Sequence, residues 1–222
     1  KKNLGMSKNI ISGVGQTLKK FKKGIFLEDD MMLDKYFLEF MNYYLEVYKN
    51  NHKISSIHGY SYPTNKKLPD YFFLKGADCW GWATWSRAWK IFSNDSKHLL
   101  SKIKKKELVK EFNFNNSYNY FKMLKQNLLK KNKSWAINWY ASCFLKDKLT
   151  LYPGRSLVHN FGNDLSGTNC KETEVFNVKL RNKPLKFTQV MTLESEYAKK
   201  EFEFFFLSIM SLRNRLMRYF GV

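Results

Sequence analysis

An apolar run, Gly24-Ile25-Phe26-Leu27, stops without transition at three consecutive acids, Glu28-Asp29-Asp30. Few local structures tolerate that junction. A short apolar run bounded by polar residues fits a strand buried on both faces, here a central strand of a sheet. The acids at its C-terminal end then emerge into a cleft. Like charges packed there repel one another, so the triplet calls for a compensating partner. A divalent cation that prefers hard oxygen ligands, Mn2+ or Mg2+, supplies one and can hold phosphate oxygens at the same time. The plainer reading is an acidic turn ahead of a helix capped by Asp34. In an extended strand end Glu28 and Asp30 share one side while Asp29 points away. That makes Asp30 the direct metal ligand, Glu28 a contact for sugar or metal-bound water, and Asp29 a contact for ribose or a brace for the loop.

The rest of the chain alternates short apolar runs with amphipathic ones. A helix is expected over residues 5–21, and another after Asp34 along Phe37, Leu38, Met41, Tyr44, Leu45 and Tyr48. Strands are expected over 53–60, 71–74 and 149–152, with a further one at Leu157-Val158 running into a polar loop. Helices are expected over 87–92 and 134–145, with a lysine-rich, mostly helical region over 97–133. The alternation predicts an α/β fold, a mixed sheet flanked by helices with a helical insertion. Nineteen Phe, thirteen Tyr and six Trp supply ample surface for one core and exclude a disordered chain.

The net charge of +20 implies an anionic environment or a lysine-coated surface. Its basic groups are mostly Lys, which speaks against specific base reading. Cys79, Cys143 and Cys170 form no paired-thiol motif and fit a reducing compartment, hence the cytoplasm. No apolar stretch is long enough to span a bilayer.

The run 25–30, the tryptophan-rich 79–85 with Arg87-Ala88-Trp89, and the segments 134–142 and 151–158 together resemble bacterial GT-A glycosyltransferases related to N-acetylglucosaminyltransferase I. The resemblance spans roughly residues 3–170 and implies a GT-A-like domain over 1–190 followed by an amphipathic helical extension over 191–222. It implies an inverting, metal-dependent hexosyl- or N-acetylhexosaminyltransferase that uses a nucleoside-diphosphate sugar, UDP-linked by the comparison. Its acceptor would be a bacterial surface polysaccharide, lipooligosaccharide or other glycolipid. Asp30 would ligate the metal, with Glu28 and Asp29 on the donor. Such folds begin with a nucleotide-binding portion ahead of the residues matched here, so an incomplete N-terminal portion is expected. The family's catalytic aspartate just before the tryptophan matching Trp139 is missing, since Ala136, Ile137 and Asn138 stand there.

Asp78, beside aromatic residues, is the substitute base to test first, and Asp164 the next; a loop-capping role is the alternative for Asp78. Trp80, Trp82 and Trp85 either stack on sugar rings of the acceptor or fill the core, and Asn138 can bind a hydroxyl. His159 either completes the metal site or is a structural histidine, and Arg155 is either a phosphate clamp on the donor or a surface ion-pair partner. A second metal-binding histidine is not expected, because Asn169 follows Gly167-Thr168.

Two other classes compete. Phe112, Phe114, Tyr118, Tyr120 and Phe121 within the lysine-rich region suit nucleic-acid stacking, though no specific nucleic-acid module is evident. A phosphoryl-transfer or hydrolytic enzyme is the other, though no P-loop is present. From Lys199 on, Phe202, Phe205, Ile209, Leu212, Leu216 and Phe220 recur at helical spacing beside Arg213, Arg215 and Arg218. That face either docks peripherally on the inner surface of the cytoplasmic membrane, at anionic lipid, or packs on the domain or a second subunit.

Overall fold

Five strands form one mixed sheet, and its strand directions decide where a site can lie. The computed structural model describes residues 5–162 and 173–219. Helix α1 (Met6–Phe21) leads into β1 (Lys23–Phe26), β2 (Met31–Leu33) and α2 (Phe37–Val47). Next come β3 (Ile54–His58), β4 (Tyr71–Lys75), β5 (Trp82–Trp85) and the short α3 (Ser86–Trp89). Helices α4 (Ser96–Lys105), α5 (Val109–Phe112), α6 (Tyr120–Leu128) and α7 (Trp135–Leu145) follow. The chain then forms β6 (Leu149–Pro153), β7 (Val158–Asn160) and α8 (Glu196–Tyr219). The sheet order is β1-β5-β3-β6-β4, and β2 pairs with β7 in a separate ribbon. Strands β1 and β3 both run antiparallel to β5, and β6 runs parallel to β3. The C-terminal ends of β1, β3 and β6 therefore open on one edge.

The run before the acids is a strand, but not a central one. β1 lies at the edge of the sheet with all four residues half-buried. Its apolar character comes from packing against Trp82 rather than from neighbours on both sides: the Phe26 and Trp82 rings lie 5.0 Å apart. Asp34 is likewise not the cap of α2, whose N-cap residue is Tyr36. Its carboxylate accepts from the Tyr36 N–H at 2.9 Å and the Asn182 N–H at 2.6 Å, so it closes a turn and ties in a distant segment.

Strand β4 shows how the sheet divides the core. Tyr71 and Phe73 face one cluster, with α1, α2 and the tryptophans, while Phe72 and Leu74 face the other. Helices α4 to α7 build that second cluster through Leu99, Ile103, Phe112, Leu124 and Phe144. Ser134 caps α7, its Oγ accepting from the Ile137 N–H. Phe202, Phe205 and Phe206 of α8 are buried in the second cluster too, against Tyr62, Phe72 and Phe114. This stretch of the apolar face is thus committed to the interior, because aromatic surface from β4, β6, α6 and the loops at Tyr62 and Phe114 meets it there. Among the described residues, no helix is long and apolar enough to cross a membrane.

Trp82 is the pivot of the first cluster, within 6.0 Å of Trp89, Trp135 and Trp139. Trp82→Ala is expected to cost about 3–5 kcal/mol in urea unfolding. Trp80→Ala, at a half-exposed position, costs clearly less.

Candidate functional site

At the open edge the acids do not continue β1 as an extended strand end: Asp29 and Asp30 form the turn that leads into β2. Glu28 and Asp30 are half-buried and Asp29 is exposed. Burial raises the pKa of Glu28, and the charges of Asp30 and Asp29 raise it further. Asp30 is also raised, by burial first and by Asp29 second, against a backbone hydrogen bond that lowers it. The Asp30 carbonyl accepts from the Phe161 N–H at 3.0 Å, which extends the β2–β7 ribbon by one step.

One oxygen of this cluster stands apart. Asp30 Oδ1 is shut off from solvent and has no hydrogen-bond partner among the described residues. The other oxygen, Oδ2, rests against Gly162 so closely that a Cβ there would sit 2.2 Å from it. A buried anionic oxygen without a donor is costly unless a cation faces it. The chemistry fits a hard divalent cation held by one or two carboxylates, with its shell completed by phosphate oxygens and water. Among the described residues no three His, Cys, Asp or Glu side chains gather into a metal-holding group. His159 does not complete one. It sits on β7 opposite Met32, and its Nδ1 accepts from the Val178 N–H at 3.4 Å.

The loop between β4 and β5 brings in the second carboxylate. Asp78 is only partly open to solvent, and burial pushes its pKa up to about 6 despite hydrogen bonds to Oδ2 from Tyr152 (3.1 Å) and Tyr62 (3.4 Å). Next to it, the Cys79 thiol is raised by burial first and then by the charges of Glu28, Asp78 and Asp30. Burial and those three charges hold its thiol protonated, so Cys79 is no nucleophile. His58 anchors the loop. Its Nε2 accepts from the Trp80 N–H at 3.0 Å, and burial depresses its pKa to about 3, keeping the ring neutral and able to accept. Gly81, at φ +61°, turns the chain into β5 where a side chain would strike Val158.

Of the three tryptophans, Trp80 alone retains exposed surface, standing edge-on to Tyr60 and Phe176. Trp82 and Trp85, expected as sugar platforms, are 2% and 4% exposed and belong to the core. Trp85 spends its Nε1–H on the Leu45 carbonyl and lies under the Arg87 guanidinium. Asn138 is no acceptor contact either, being 1% exposed. Its amide is used by Asn94, Ser96 and Asn127, a network that joins α7 to α4 and α6. Arg155 is not brought to the acids; it follows β6, three strands from β1, where it lines a separate groove. Asp164 lies outside the described residues. The aromatics of the lysine-rich region pack on the second cluster, which removes the stacking platform a nucleic acid would use.

Sequence reasoning missed Tyr62, Tyr152, Cys79 and Gly162. Beyond β3, Tyr60-Ser61-Tyr62 alternates aromatic and polar residues, and that was the available signal for Tyr62. Comparison with family models and with curated proteins gives no match.

Gly162→Ala is expected to push the Asp30 carboxylate aside while leaving every acid in place. Mn2+ affinity, followed by the electron paramagnetic resonance of the free ion, falls by about tenfold or more, with little change in thermal unfolding.

Proposed function

We propose that this chain carries the metal-holding, acceptor-side part of a GT-A-type glycosyltransferase. The reaction moves a sugar from a nucleoside-diphosphate sugar, UDP-linked by the sequence resemblance, to a hydroxyl of a bacterial surface glycan or glycolipid, with inversion. The observation that carries the reading is a pair of differently supported carboxylates: Asp30, whose buried Oδ1 has no hydrogen-bond partner among the described residues, and Asp78, held by Tyr62 and Tyr152. Their positions suit two tasks, holding a cation and accepting a proton.

Asp30 would hold Mn2+ or Mg2+ through its unpartnered Oδ1, with Glu28 beside it. When bound, the ion offsets charge that develops on the departing diphosphate. Asp78 takes the part of the missing family base. With a pKa of about 6 it is ionised at neutral pH yet still basic enough to draw a proton from an acceptor hydroxyl. Tyr62 and Tyr152 both donate to its Oδ2, which leaves Oδ1 for the acceptor. The acceptor oxygen bonds to the anomeric carbon, the diphosphate leaves with the bonding pair, and the proton passes to Asp78. Trp80 offers the exposed aromatic face against which a sugar ring can lie.

Incubation with a panel of sugar nucleotides and Mn2+ tests the reaction directly. Asp30→Asn is expected to lower turnover by about a hundredfold or more with the fold retained. Turnover at the wild-type level in that variant, with a chelator present, sinks the metal assignment.

Asp78 gives a paired pH signature. Turnover in the wild type rises through about pH 6 as the carboxyl ionises. Stability moves the other way. Between the ordinary value of 3.8 and about 6 the folded chain keeps a proton that the unfolded chain has lost, so stability falls across that window and then levels off. Asp78→Asn should abolish the turnover step and remove this fall in melting temperature. A variant with unchanged turnover would exclude Asp78 as the base.

A further inference from the structure

A second concave surface lies along the same edge, past the ends of β3 and β6, on the side away from β1. It is a groove of about 480 Å³, large enough for one or two sugar units. Lys66, Lys67, Arg155 and Lys179 line it together with Ser61 and Asn177. Lys66 is partly neutralised by Glu201 at 3.4 Å. Among the described residues, Lys67, Arg155 and Lys179 have no ion-pair partner. Exposed cations alone make no site, but the groove also contains a buried group with an unmet need. Ser61 is 3% exposed, and its Oγ has no hydrogen-bond partner among the described residues. Its neighbour Ser156 is fully used, accepting from the Ser61 and Val158 N–H groups and donating to the Val158 carbonyl. A buried hydroxyl left free while its neighbour is satisfied is a donor in want of an acceptor.

The groove also touches the chemistry. Tyr62 lines it and donates to Asp78 Oδ2. The adjoining recess shares Lys66 with the groove, but Glu174, Glu201, Phe204 and Phe205 give it acids and aromatic surface in place of Lys67, Arg155 and Lys179. Positive charge is therefore concentrated in the part that leads to Asp78.

We infer that this groove binds an anionic sugar of the acceptor, one bearing a phosphate or a carboxylate, with Ser61 donating to the anion and Arg155, Lys67 and Lys179 neutralising it. The inference rests on the transferase reading for the word acceptor; the anion site itself does not. It also separates two anions along the edge, the donor's diphosphate at Asp30 and the acceptor's charge beyond Tyr62.

Calorimetric titration of the full chain with glucose 1-phosphate, glucuronate and glucose tests it, alongside titration with Mn2+ and UDP. At least one anionic sugar binds and glucose does not. Ser61→Ala, and separately the double change Lys67→Gln with Lys179→Gln, weaken that binding by about tenfold or more. Mn2+–UDP binds these variants as it binds the wild type and does not displace the anionic sugar. Failure of both anions to bind, or equal binding in the variants, overturns the site. Displacement by Mn2+–UDP overturns it as well, since the groove would then belong to the donor. Anion binding that persists in a chain with neither Mn2+–UDP binding nor sugar transfer leaves the anion site standing and sinks the transferase reading.

Discussion

The backbone of Gly59 is clasped from both sides. Its N–H donates to the Gly81 carbonyl at 2.7 Å, and its carbonyl accepts from the Leu157 N–H at 2.8 Å. Three segments meet there: the one leaving β3, the one entering β5 and the one leaving β6. A side chain at Gly59 would collide with Phe37, Val158 and the Gly81 carbonyl, so the approach needs glycine. Because these hydrogen bonds are short and enclosed, they set the spacing of the loops above the sheet. The acids after β1, the Asp78–Trp80 loop and the groove past β6 all take their relative positions from that junction.

On this frame the electrostatics are uneven. The chain carries a net charge of +20, yet three half-buried acids, Glu28, Asp30 and Asp78, have no ion-pair partner among the described residues. Glu28, Asp30 and Asp78 are each raised first by burial. Desolvation is thus the larger cost, with repulsion added to it for Glu28 and Asp30. Tyrosine hydroxyls ease the strain at Asp78, whereas Asp30 Oδ1 has no such relief. The asymmetry separates the two acids: one is supported by donors, and the other has a buried oxygen with no donor among the described residues.

The expected elements were largely legible because they rest on local pattern. Amphipathic spacing marked α2 and the start of α8, an aromatic run marked α7, and the polar breaks marked β3, β4 and β6. Strand β5 was hidden inside a tryptophan-rich motif. Both of its faces are buried, so Trp82 and Thr84 show no contrast with Ala83 and Trp85 that a period-two pattern would reveal. The same lack of contrast is why Trp82 and Trp85 read as surface candidates when they are core. Asn138 misled for a related reason: a buried amide satisfied by three distant side chains looks, in sequence, like one available to a ligand.

What the sequence determined by itself is that the apolar run before the acids is a strand, because that pattern depends only on neighbouring residues. Tertiary structure alone decided the rest of the site. Whether β1 is central or at an edge follows from which strands pair with it, and β5 is more than fifty residues further along the chain. Tyr62 and Tyr152 reach Asp78 across 16 and 74 residues. Such meetings come from packing against a common sheet, where contact depends on the sum of many burial energies and on no local periodicity.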